Sequence, residues 1–323
     1  MNNKHANRLF LILVIVYFVL ILGLSFAVAK YGLNVELLSS NAFLEFGLLI
    51  PTFIYVLCVR DDIFELVSLK KIKLATFFLV PLYVLCLFPL ITILNSISMI
   101  FVDNVVASST ADILQVPFLI SVFQIGIFAP LCEEIIFRGV FYHSYRRSGT
   151  ALTSAIISGI LFGIIHMNIN QAMYAIAIGF FFALLVEVTG STLTSFWAHA
   201  FFNSSEVGLI YITQSLATNL GNTNMQNIIE MENDLSKEAL LQTVVVMLPA
   251  AAALVAVVIL IAFLISKVEG NTDKFKEFFK IEKPQTFYTP DGRIVQRAKP
   301  TMITPSLVIG VILALIYMVI TAI

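Results

Sequence analysis

Apolar runs of roughly 20 residues recur from residue 9 to residue 322, and each is long enough to cross a hydrocarbon layer of about 30 Å at about 1.5 Å per residue. That recurrence makes the bilayer the solvent. Composition agrees: 59% of the residues are hydrophobic and 12% charged, where a soluble domain carries roughly a quarter charged residues. The chain is therefore expected to be all-α, a polytopic helical membrane protein with about nine spans, at 9–29, 42–59, 74–101, 115–147, 150–167, 171–188, 190–211, 240–266 and 304–322. It divides into N-terminal spans (1–114), a central helical core (115–211) and C-terminal spans with a loop at 267–303. Ala27-Val28-Ala29 could pass for a signal-peptidase site, but the apolar run before it is long for a cleaved signal, so it reads as a retained anchor.

Orientation follows from Lys and Arg near span ends. With a cytoplasmic N-terminus and nine spans, all of the 19 basic residues except Lys30 and Lys237 fall on the inner side. The segment 204–239, with Glu206, Glu230, Glu232, Asp234 and Glu238 against a single Lys, suits the outer face. The loop 267–303 mixes Lys with Glu and Asp and contains Pro284, Pro290, Gly292 and Pro300, which predicts a short amphipathic helix, a turn and an extended tether near the lipid surface. Cys58, Cys86 and Cys132 lie in apolar spans without a CxxC pair, which argues against a disulfide framework and a cysteine metal site. Repeats and low-complexity tracts are absent, and no nucleic-acid partner is expected.

Charged and strongly hydrogen-bonding residues inside apolar spans are costly and usually mark a cavity or a reaction path. Here Glu133, Glu134 and Arg138 interrupt one run, His166 ends the next, and His199 and Asn203 sit in the run around Trp197. Glu134 and Arg138 are four apart with the acid first, the favourable order for an ion pair on one helix face. Glu133 is turned about 100° from that pair. A carboxylate without a local partner in low dielectric holds its proton more tightly, which suits a general base or acid near neutral pH. His199 and Asn203 are also four apart and can donate to one point, as an oxyanion pocket requires. Tyr142 and His143, beside Arg146 and Arg147, read as interfacial residues.

Depth tests whether these groups can meet. If the fourth span continues to Arg147, Glu133 lies about 21 Å from its cytoplasmic end; His166 lies about 24 Å from Thr150, and Asn203 about 20 Å from Gly190. All of them then share one layer. A helix ending at Arg138 would break that arrangement.

Glu133-Glu134-x-x-x-Arg138, Phe162-x-x-x-His166 and His199-x-x-x-Asn203, in that order, resemble the three motifs of the CAAX prenyl endopeptidase and bacteriocin-processing (CPBP, or Abi) family of intramembrane proteases. The resemblance covers about residues 115–210. It implies a conical intramembrane catalytic cavity, with Glu133 and His166 activating a water, His199 and Asn203 stabilising the oxyanion, and a peptide or lipidated protein as substrate. Glu134 and Arg138 would support these groups. Family members are often labelled metalloproteases, and Glu133, His166 and His199 could offer zinc a His, His, Glu set with one position for water. The chain lacks a His-Glu-x-x-His helix, so catalysis without a required cofactor is the expectation and zinc the alternative.

Two other classes compete. A transporter should show inverted repeats or Gly/Pro-broken helices in both halves, and neither is seen. A non-catalytic scaffold or bacteriocin self-immunity protein would keep the fold without needing the chemistry. In the family, substrates range from prenylated CAAX proteins to bacteriocins and peptide signals, and the motifs do not choose among them.

Overall fold

The computed structural model describes residues 1–33, 37–219, 235–280, 286–288, 294–296 and 302–322. Each expected span is a helix. In chain order the elements are α1 (Asn3–Tyr31), α2 (Leu37–Cys58), α3 (Ile63–Val67), α4 (Leu74–Met99), α5 (Val105–Leu114), α6 (Phe118–Arg146), α7 (Ala151–Ile165), α8 (Ile169–Thr189), α9 (Thr192–Asn219), α10 (Lys237–Glu269), α11 (Thr272–Phe278), β1 (Thr286–Tyr288), β2 (Ile294–Gln296) and α12 (Pro305–Ala322). Among the described residues seven helices are long and apolar enough to cross a membrane on their own. Of the other two expected spans, α7 has only 15 residues, about 22 Å. The second, α9, is long enough but carries His199, Asn203 and Glu206.

The central helix is α8, with 67% of its most apolar window buried against 17–33% for the other crossing helices. Helix α7 packs along it so closely that a Cβ on Gly179 would fall 2.7 Å from Gly159 Cα. Small residues permit this backbone approach where lipid offers no hydrophobic drive between helices. Helix α9 lies against α6, α10 against the second half of α4, and α1 against α12. The outward faces are apolar: Val19, Leu22, Val245 and Ile320 are each more than 60% exposed, as lipid contact demands.

One end of the bundle gathers the segments that charge counting places together. The N-terminal ammonium and Arg147 both meet Asp61, Lys70 N–H donates to Ser191, Lys73 donates to the Val268 carbonyl, and Asn7 donates to the Met302 carbonyl. In the loop 267–303 the expected short helix is α11. Within the expected turn and tether, β1 pairs antiparallel with β2, Phe287 opposite Val295. Helix α9 extends past the expected end of its span, from 211 to Asn219, and carries Glu206 within it. The acidic residues Glu230, Glu232 and Asp234 lie outside the described residues.

Candidate active site

Helix α6 runs unbroken to Arg146, as the shared-depth argument requires. Within it Val122–Phe128 and Ile135–Tyr142 are wound as π-helix, flanking the α-helical Ala129–Glu134. Such turns bond five residues back and recur at functional sites. Ala129 N–H donates to the Gln124 carbonyl in that register. The next donor would be Pro130, which has no N–H, so the Ile125 carbonyl is left without a donor from its own helix. Asn203 on α9 supplies one, its Nδ2 donating to the Ile125 carbonyl at 3.0 Å. Gly126 makes the approach possible, because a Cβ there would fall 2.3 Å from Ser204 Oγ.

The paired glutamates then diverge. Glu134 and Arg138 form the expected ion pair at 3.0 Å, and both are fully buried. The guanidinium also stacks 4.2 Å from the Phe162 ring centroid. Glu134 Oε1 has a further partner that helical spacing does not reveal, His199 Nδ1 at 2.9 Å. Glu133 faces the other way, into a cavity. It finds there, on two other helices, the partners it lacks on its own: its Oε1 is 3.8 Å from His166 Nε2 and its Oε2 is 3.4 Å from His199 Nε2.

The short length of α7 places His166. The helix ends at Ile165, partway through a layer of about 30 Å, and the chain turns back through Met167, whose φ of 53° is left-handed. His166 Nδ1 is fixed on the Phe162 carbonyl at 2.7 Å. A carbonyl only accepts, so Nδ1 carries the hydrogen and Nε2 presents a lone pair to the cavity. For His199 the same rule applies: the Glu134 carboxylate accepts from Nδ1, so Nε2 donates only if the imidazole is fully protonated. An imidazolium there is charge-balanced, since Glu133, Glu134, Arg138 and His199 would then sum to zero.

The four expected site residues therefore line one cavity of about 660 Å³. Glu133, His166 and His199, the three residues that could offer a metal ion a His, His, Glu set, meet at this point of the cavity wall; among the described residues no group of three or more His, Cys, Asp or Glu side chains stands out as a metal site.

Other polar residues on the cavity wall escaped the motif reading, among them Glu45 on α2, Gln124 on α6 and Glu206 on α9. A sign of Glu45 was present, an acid inside an apolar span, but it stands alone in sequence without a motif around it. Tyr142, expected at the interface, is instead buried and donates to Glu187, a carboxylate that Arg146 also binds.

Fold and site together define a class: a polytopic helical membrane protein with a glutamate facing two histidines from three helices. Residues 115–205 match the model of the Rce1-like family, described as type II CAAX prenyl endopeptidase, which agrees with the motif resemblance. The chain is also 32% identical over 94 residues to a Bacillus subtilis (strain 168) protein named "Putative membrane peptidase YdiL". That alignment covers 29% of this chain and 38% of the relative's length. No solved structure matches the chain.

Proposed function

We propose that the protein is an intramembrane endopeptidase that cuts peptide bonds of membrane-associated or lipidated peptides with a Glu133-activated water. The observation that carries this reading is the convergence of the Glu133 carboxylate with two Nε2 atoms inside a cavity at the depth where Asn203 also lies. Glu133 Oε1 and His166 Nε2 both accept, and their 3.8 Å separation suits a water bridging them with two legs of about 2.8 Å. Such a water donates a hydrogen to each and turns a lone pair toward the substrate carbonyl carbon. Glu133 takes one proton as the new C–O bond forms. The oxyanion receives hydrogen bonds from protonated His199 Nε2 and from the second Asn203 amide hydrogen, the first being held by Ile125. Glu133 then passes its proton to the leaving amine as the C–N bond breaks.

Glu134 holds the His199 ring and balances Arg138, so the buried charges are fixed before substrate enters. We place the protein in the cell membrane with its N-terminus and the Arg147 end in the cytoplasm. The test is cleavage of peptides by purified wild type and Glu133→Ala in detergent. Hydrolysis by wild type alone supports the reading; equal hydrolysis, or an unchanged cellular phenotype in the variant, rejects it in favour of a scaffold.

A further inference from the structure

The cavity occupies only one half of the bundle. Its innermost wall residues are Leu48 on α2, Phe88 on α4, Phe137 on α6, Phe162 on α7, Ile178 on α8 and His199 on α9. On each of these helices the described residues nearer the end marked by Met1, Asp61 and Arg147 are not part of the wall. That half is closely packed. Phe137, Phe141 and Tyr145 stack one on the next, each 1% exposed or less, and Tyr145 donates to Asn7. Leu184, Leu185 and Val188 on α8 are fully buried in the same half. The other end leads out: the wall continues along α9 to Leu209, 52% exposed, and to Thr213, and along α2 to the exposed Asn41. Thr213 lies about 35 Å along its helix from Gly190, past the far boundary of a layer of about 30 Å. Asn95 and Thr110 also belong to the wall on this side, polar groups of the kind that face water-filled cavities at membrane depth.

We propose that substrate enters from the non-cytoplasmic side, so that the protein cuts peptide segments presented at the outer face of the membrane, and that a cytoplasmic carboxyl-terminal tail does not reach Glu133. This rests on the peptidase reading and on the orientation given above, and narrows the substrate. Glu133, His166 and Asn203 lie about 20–24 Å from the cytoplasmic ends of their helices, hence within about 10 Å of the outer boundary. A chain from outside reaches them through the cavity. A chain from the cytoplasm would have to pass the packed half, where its backbone groups would lose water without gaining partners. The volume of about 660 Å³ falls in the range of roughly 300–1,000 Å³ typical of small-ligand sites, so a short unfolded segment fits and a folded domain does not. The same route brings the nucleophilic water from the outer face.

The experiment uses full-length protein in membrane vesicles of known sidedness and a library of internally quenched peptides. Each peptide carries a sulfonated fluorophore and so stays on the side where it is added. Rates are taken as wild type minus Glu133→Ala. Hydrolysis should be roughly tenfold or more faster in right-side-out than in inverted vesicles, since a charged group crosses hydrocarbon poorly. Detergent should bring the two preparations to one rate. Equal rates in intact vesicles, or faster hydrolysis in inverted ones, overturn the proposal and leave the peptidase reading standing. In parallel, Thr213→Cys should react with a membrane-impermeant maleimide in right-side-out vesicles and not in inverted ones, above the background of Cys58, Cys86 and Cys132 in wild type. The reverse pattern overturns the outward opening. Absence of hydrolysis even in detergent rejects the peptidase reading and the substrate with it, and the Thr213→Cys result then decides by itself which side the cavity faces.

Discussion

Asn203 donates to the Ile125 carbonyl at 3.0 Å, in place of the N–H that Pro130 does not have. One hydrogen of the amide thus completes helix α6, and the other is left for the oxyanion. The two duties are separable. Asn203→Ala should lower turnover roughly 100- to 1000-fold, about 2.7–4 kcal/mol, and also cost about 1–3 kcal/mol of stability from the orphaned carbonyl. Adding Pro130→Ala returns a backbone N–H to Ile125. The double variant should regain its melting temperature in detergent but not its turnover. Recovery of both would assign Asn203 to helix repair alone.

Glu134→Gln should reduce both stability and activity. It leaves the Arg138 guanidinium buried without a counter-charge, which costs about 3–5 kcal/mol. It also weakens the hold on His199. Glu133→Gln, which faces the cavity, should melt like wild type. Equal loss of folded protein in the two variants would remove the distinction drawn between the glutamates.

Glu133→Ala and His166→Ala should lower turnover by several orders of magnitude while peptide capture stays nearly intact, since both act on the water. His199→Ala should resemble Asn203→Ala in rate. Turnover measured beside peptide binding for the variants checks this; a loss of binding that matches the loss of rate would count against roles confined to chemistry.

Purified wild type should keep its activity after prolonged chelation and dialysis. Metal content by elemental analysis, measured with the rates, decides the matter. One tightly bound zinc per chain, lost in both His166→Ala and His199→Ala, would replace the oxyanion assignment with a metal-bound water.

A reporter fused after Lys280 should be cytoplasmic, and one inserted before Ser236 should be external, because all but two of the 19 basic residues then face the cytoplasm. The gathering of Met1, Asp61, Arg147, Val268 and Met302 at one end of the bundle ties these segments to the same side. A reporter result that splits them would contradict the fold as well as the charge count.

The spans were legible because hydrophobicity is summed along the chain and lipid imposes a minimum length. Glu134 with Arg138 was legible for a similar reason, four residues being one helical turn. The long α6 was reached by demanding equal depth for Glu133 and His166. The end of α7 before His166 was legible as well, since the apolar run from Ala151 stops there, about 24 Å in, at a depth shared with Glu133. Glu206 and Tyr142 were placed outside the protein interior, because a polar residue near a span end looks the same whether it faces water or a cavity.

The sequence by itself thus determined which residues are in the membrane, the identities of the polar groups there and the one pair held by helical pitch. Only the tertiary structure decided what those groups face. Glu134 meets His199 across 65 residues and Asn203 meets Ile125 across 78, and Glu45 reaches the same cavity from a helix with no motif of its own. These contacts depend on how far helices approach and turn about their axes, set by backbone contact at glycines such as Gly126 and Gly159 and by π turns that rotate the helical turns after them. Periodicity along one helix cannot carry that information, because rotating a neighbour by one residue's worth of arc exchanges a group in the cavity for one in lipid.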